Sequence, residues 1–190
     1  MCITELRVNN IYSRFEVAKM REHLGSECEH ELYFEFDIEA SVNKVWNTLT
    51  TESGLKSFFS SHVDVEFYPG GKFEILFDVE APIGSQGSEG MIILAMQPEK
   101  LLSFTWNSPP ILQSLRNQMT TVIIHLEDMG STTRIIFRNV GYGYSEQWQK
   151  SKMYFDNAWG NIVLPRLKYA LETGPYDWLS RPELPKMDYK

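Results

Sequence analysis

The sequence is poor in cysteine, with only Cys2 and Cys28 in 190 residues. Two thiols cannot build a disulfide framework, and they lack the C-x-x-C spacing of a zinc or redox pair. The four histidines, His23, His30, His62 and His125, show no H-E-x-x-H or other ligand spacing, so no metal is expected. There is no run of lysine and arginine, and the formal net charge is −7. Phosphate neutralisation needs clustered cations, which excludes a nucleic-acid partner and electrostatic docking on an anionic membrane. No apolar run is long enough for a membrane span. Residues 1–30 lack a basic segment followed by an apolar one, so the expectation is a soluble cytoplasmic chain. Catalytic signatures are missing too: no G-x-S-x-G elbow, no Walker loop and no dinucleotide fingerprint. No cofactor is expected, and no residue can be named as catalytic.

Apolar and aromatic residues are abundant, at 43% and 13% of the chain, with 5 Trp, 9 Tyr and 11 Phe. A chain of this length suits one domain with appendages. We divide it into an N-terminal extension (1–30), a domain (31–174) and a C-terminal tail (175–190). In the extension, Val17, Met20 and Leu24 have partial helical spacing that Gly25 could end.

From residue 31 the pattern is regular. Leu32, Phe34, Phe36 and Ile38 alternate with polar residues, as in a half-buried strand. Ser41 can cap a helix carrying Val42, Val45, Trp46 and Leu49 on one face, and residues 52–59 read as a second short helix or a loop. Val63, Val65 and Phe67 are joined through Pro69-Gly70-Gly71 to Phe73, Ile75, Phe77 and Val79, which predicts a hairpin. Residues 81–88 have loop composition. Strands are then predicted over Met91–Met96, around Leu102, Phe104 and Trp106, around Val122, Ile124 and Leu126, and around Ile135 and Phe137. Phe155, Trp159, Leu164, Leu167 and Leu171 recur at helical spacing in a long segment ending near Gly174, which Pro165 should bend. Helices and strands are segregated, so the fold class is α+β: a helix grip, with a curved antiparallel sheet around a long C-terminal helix.

Several segments carry a family resemblance. They are FDIEASVNKVWNTLT (36–50), GGKFEI (70–75), Gln97-Pro98-Glu99-Lys100-Leu101 leading into Phe104-Thr105-Trp106, Thr133-Arg134-Ile135, and LPRLKYALE (164–172). In order and spacing, over residues 31–173, the chain resembles the START/Bet v 1-like (SRPBCC) superfamily, and within it the branch of activators of heat shock protein 90 ATPase homologues. The resemblance implies a cavity between sheet and helix that takes a small apolar or amphipathic molecule. The chain departs from the branch at Asn139, where a His is usual, and at Trp159-Gly160, where the order is usually Gly-Trp.

The expected inward face and cavity wall comprise Phe73, Ile75, Phe77, Met91, Phe104, Trp106, Ile124, Phe137, Asn139, Tyr142, Phe155 and Trp159. Simple core packing is the alternative for any one of them. Met96, Met119 and Met153 are adaptable gap-fillers of the same kind. Asn139, Tyr142 and Tyr144 could orient a ligand's polar end, or could merely shape the loop around Gly141 and Gly143. Glu89 and Arg138 are candidate polar contributors with surface parity. Three functions remain open: a binder of small hydrophobic molecules, a cyclase- or hydrolase-type enzyme using the same cavity, and a protein-interaction module of the co-chaperone kind. A protein partner or homodimer belongs to the third.

Overall fold

The computed structural model describes residues 30–189. Cys2, Cys28, His23 and the proposed Val17–Leu24 helix lie outside the described residues. Among the described residues there are seven strands: β1 (Leu32–Ile38), β2 (His62–Val65), β3 (Phe73–Leu76), β4 (Ile93–Gln97), β5 (Leu101–Trp106), β6 (Thr120–Asp128) and β7 (Thr133–Val140). They are antiparallel and form a five-stranded sheet in the order β1-β7-β6-β5-β4 and a β2-β3 hairpin. The hairpin is stitched to β4 by the Lys72↔Ile92 bridge and by the bond from Phe73 N to Met91 O (2.8 Å). Helices α1 (Val42–Leu49) and α2 (Glu52–Lys56) follow β1, and α3 (Glu146–Ala158) and α4 (Leu164–Glu172) form the long C-terminal rod. This is the α+β helix grip that alternation and element order predict.

Local chemistry accounts for most of the boundaries. The Ser41 hydroxyl accepts from Lys44 N and starts α1, and Thr51 does the same for Gly54 N in α2. Along β1 every second side chain is buried, Leu32, Phe34, Phe36 and Ile38 among them. One expectation needs correction: β3 ends at Leu76, so Phe77 does not continue the inward row and is 54% exposed. At that point the backbone turns to pair with the following loop, through Phe77 N to Gln86 O (2.8 Å) and the Leu76↔Gly87 bridge. Glu89 holds that loop closed by accepting from the N–H groups of Gly84, Gln86 and Gly87, and pairs with Arg116 at 3.3 Å. Its role is structural. Arg138 is exposed, 3.8 Å from Glu31 and over the Tyr33 ring.

The bend expected at Pro165 takes a specific form. Between α3 and α4, Trp159–Val163 form a π-helical turn in which Leu164 N–H bonds to Trp159 O, one residue further back than in an α-helix. The next bond of that series would run from residue 165 to Gly160 O, but proline has no N–H. The Tyr189 hydroxyl supplies the missing donor, 2.5 Å from Gly160 O. Residue 160 must be small here, because a Cβ would lie 2.9 Å from the Phe34 ring. The tail therefore folds back over the rod, with Tyr189 edge-on to Phe34 and Phe36, while Tyr176 N bonds to Ser57 O and Trp178 Nε1 to Lys56 O, both at 2.8 Å. Tyr189→Phe keeps the ring contacts and removes only the donor. The expected loss is about 1–3 kcal/mol for a buried carbonyl left unpaired, read as a lower urea midpoint at unchanged slope.

Candidate functional site

The interior between sheet and rod is filled. Phe73 stacks on Phe104 at 4.1 Å, Trp159 packs on Phe137 at 4.8 Å, and the void among them is only about 20 Å³. That leaves room for about one water molecule. Phe73, Ile75, Met91, Phe104, Ile124 and Phe137 are all buried, and none of them lines the open cleft described next. The structure thus divides the predicted wall in two.

The open volume lies at the end of the grip, where the rod passes the ends of β3 and β5. It is a half-open cleft of about 570 Å³. Four of the predicted residues meet there: Phe77, Trp106, Phe155 and Trp159. Trp106 is the centre of the cluster, stacked on Phe59 at 5.7 Å and lying 5.1 Å from Trp159. Its Nε1 is the one buried side-chain polar atom without a hydrogen-bond partner among the described residues. Phe59, Tyr154 and Trp178 bring the wall to seven aromatic side chains. The remaining polar lining is Ser60, Ser61, Arg166 and Arg181, with no carboxylate and no imidazole. Ser60 is committed to Leu76 O, and Ser61 Oγ lies 3.0 Å from His62 Nδ1.

Several of these were not legible from sequence. Phe59 follows α2 in a stretch without clear periodicity, and Trp178, Leu179 and Arg181 belong to an irregular tail. The available signal was the pair Tyr176 and Trp178, two rings too apolar to be left in solvent by a proline-flanked segment. Arg166 lies under both of these rings, 4.5 Å and 5.2 Å from their centroids. Three other expectations are corrected. Met119, Met153 and Tyr144 are exposed and outside the cleft, Tyr144 lying 4.0 Å from the His30 ring instead.

Asn139 is a buried relay, not a cleft residue. Its Oδ1 accepts from the Tyr142 hydroxyl (2.5 Å) and from Trp159 Nε1 (3.3 Å). Its Nδ2 donates to Thr120 Oγ1 (2.9 Å) and Thr121 O (3.2 Å), and the Thr120 hydroxyl in turn donates to Trp106 O (3.0 Å). Burial pushes the Tyr142 phenol well above its ordinary range, so it stays a donor. The relay joins β5, β6, β7 and the rod, and it sets the orientation of the Trp159 indole that walls the cleft. Among the described residues, no group of three or more His, Cys, Asp or Glu is placed to hold a metal, and no helix is long and apolar enough to cross a membrane.

Many solved structures match this architecture, three among them as follows. The Aha1 dimer from Colwellia psychrerythraea superposes with a TM-score of 0.53 at 19% identity, over 76% of this chain and 97% of that one. A structural-genomics protein from Mesorhizobium loti gives 0.58 at 21%, over 81% and 99%. CalU16 from Micromonospora echinospora gives 0.58 at 16%, over 80% of each chain. At these identities the likeness is one of fold. No curated protein sequence matches the chain. A family model does, across residues 39–172, from the end of β1 to the end of α4, and the chain belongs to the family of activator of Hsp90 ATPase homolog 1-like proteins.

Proposed function

We propose that the protein binds a small hydrophobic or amphipathic molecule in the cleft between the rod, the ends of β3 and β5, and the tail. The observation that carries this reading is the aromatic cleft of about 570 Å³. It falls within the roughly 300–1,000 Å³ of small-molecule sites, and like them it is mostly apolar with a few polar groups at its margin. Phe77 and Tyr154 are exposed and Trp178 is partly so, over a floor of buried rings, and an apolar guest would remove that ring surface from water.

The test is a titration with the neutral fluorophore N-phenyl-1-naphthylamine, following probe emission and tryptophan quenching together. Saturable binding at one equivalent, with a Kd in the micromolar range, is the expected result. A signal that grows linearly with probe and never saturates would sink the reading. Co-chaperone activity, the second reading, is supported by family membership alone. It is tested by adding the protein to a chaperone ATPase assay.

A further inference from the structure

Among the described residues, neither of the two cations that line the cleft is in an ion pair. Arg166 leaves α4 and spends its guanidinium face on the rings of Tyr176 and Trp178. Arg181 donates from Nε to Trp178 O at 3.2 Å. Neither is in an ion pair with a carboxylate among the described residues. This occurs in a chain of formal charge −7, whose carboxylates outnumber its Lys and Arg by 25 to 18. In such a chain, a cleft lined by two guanidinium groups and no carboxylate departs from the balance of the whole.

The tail is shaped so as to present the second of them. The Asp177 carboxylate accepts from Leu179 N, Ser180 N and the Ser180 hydroxyl, at 2.8–3.2 Å, and Arg181 N bonds to Asp177 O at 2.9 Å. These bonds hold the Asp177 carboxyl below its usual range and occupy it within the turn. They also fix Arg181 in the left-handed region at φ 46°, an uncommon conformation for a side-chain-bearing residue. The Asp177 carboxylate, four residues before Arg181, is thus engaged within the turn and makes no ion pair with that guanidinium.

We infer that the ligand is a small amphipathic anion, its apolar body against the accessible rings of Phe77, Tyr154 and Trp178 and its carboxylate at Arg166 and Arg181. The inference rests on the binding function proposed above and adds the chemistry of the ligand's polar end. Guanidinium forks match carboxylate geometry, and the low-dielectric aromatic wall strengthens the attraction.

The experiment is displacement of N-phenyl-1-naphthylamine by two guests of equal chain length, decanoate and decan-1-ol, at neutral pH and low salt. On hydrophobicity alone the alcohol should win. The expected result is that decanoate displaces the probe at concentrations about tenfold lower than decan-1-ol, with the advantage shrinking as salt is raised. Arg181→Gln, at an exposed position, and Arg166→Lys, which keeps a charge and loses the fork, should each erode that advantage, read as the ratio of decanoate to decan-1-ol displacement within each variant so that any change in probe affinity cancels. Equal or better displacement by decan-1-ol, or a decanoate preference indifferent to Arg181→Gln in a variant of unchanged thermal midpoint, overturns the inference. If the probe itself fails to bind, the binding function falls with it, so the two failures are distinguishable.

Discussion

Asn139→Leu is expected to cost about 3–5 kcal/mol of stability, read as a large fall in the urea midpoint. Asn139 has no exposed surface, and its side chain is the meeting point of four hydrogen bonds. Leucine has a similar branched outline, so the loss comes from the partners. The Tyr142 hydroxyl and Trp159 Nε1 become buried donors without acceptors, and Thr121 O loses a donor. Each such orphan costs about 1–3 kcal/mol, partly relieved by relaxation. A double-mutant cycle isolates the cause. Tyr142→Phe should cost about 1–2 kcal/mol in the native background, but close to nothing when Asn139 is already Leu, because the phenol then has no partner to lose. Additive losses would show that Asn139 matters by volume alone.

The relay shows where reading a sequence succeeds and where it stops. Strand β1 was legible because one periodicity decides it: Leu32, Phe34, Phe36 and Ile38 share one face, and burying that face fixes the register. The β2–β3 hairpin was legible because Pro69-Gly70-Gly71 supplies turn chemistry between two alternating runs, and Val63 indeed pairs with Ile75 and Val65 with Phe73. Phe77 shows the limit of the same rule. Alternation carries on past Leu76, but the backbone leaves the strand to meet Gln86, a partner that periodicity cannot name. The π turn lies further out of reach. Pro165 announces a disturbance, but its form depends on a hydroxyl from Tyr189 and on Phe34 pressing against Gly160. The cleft was half legible for the same reason. Its floor comes from strand and helix residues that share a face, while Phe59, Trp178 and Arg181 arrive from segments without periodicity, placed by bonds such as Trp178 Nε1 to Lys56 O. The expected cavity between sheet and rod was filled because Phe73, Phe104, Phe137 and Trp159 are large enough to meet in the middle.

That division between filled interior and open end leads to a substitution that separates binding from stability. Ala158, the last residue of α3, lines the cleft and is only partly buried. Ala158→Trp should lower affinity for the neutral probe by about 100-fold or more, equivalent to about 2.8 kcal/mol, while changing stability by less than about 1 kcal/mol. The small stability term follows from two opposing contributions. Tryptophan is a poorer helix former than alanine by roughly half a kcal/mol, but its ring finds Phe155 and Trp159 already waiting and removes apolar surface from water. The large binding term follows because the new ring occupies the volume that the guest would fill. Trp159→Ala makes the useful contrast. It removes a side chain that is 2% exposed from the centre of the aromatic cluster, which costs about 3–5 kcal/mol in stability, so any binding defect there is confounded with unfolding. Ala158→Trp has no such ambiguity. Isothermal titration with the probe and a urea curve on the same preparation decide the matter. Unchanged affinity in a well-folded Ala158→Trp variant would mean that the guest sits elsewhere, and the smaller groove of about 370 Å³ between β1, α4 and residues 184–188 would then be the place to look. Lost affinity with an intact fold would locate the guest against the rod's inner face, where the π turn and the tail meet.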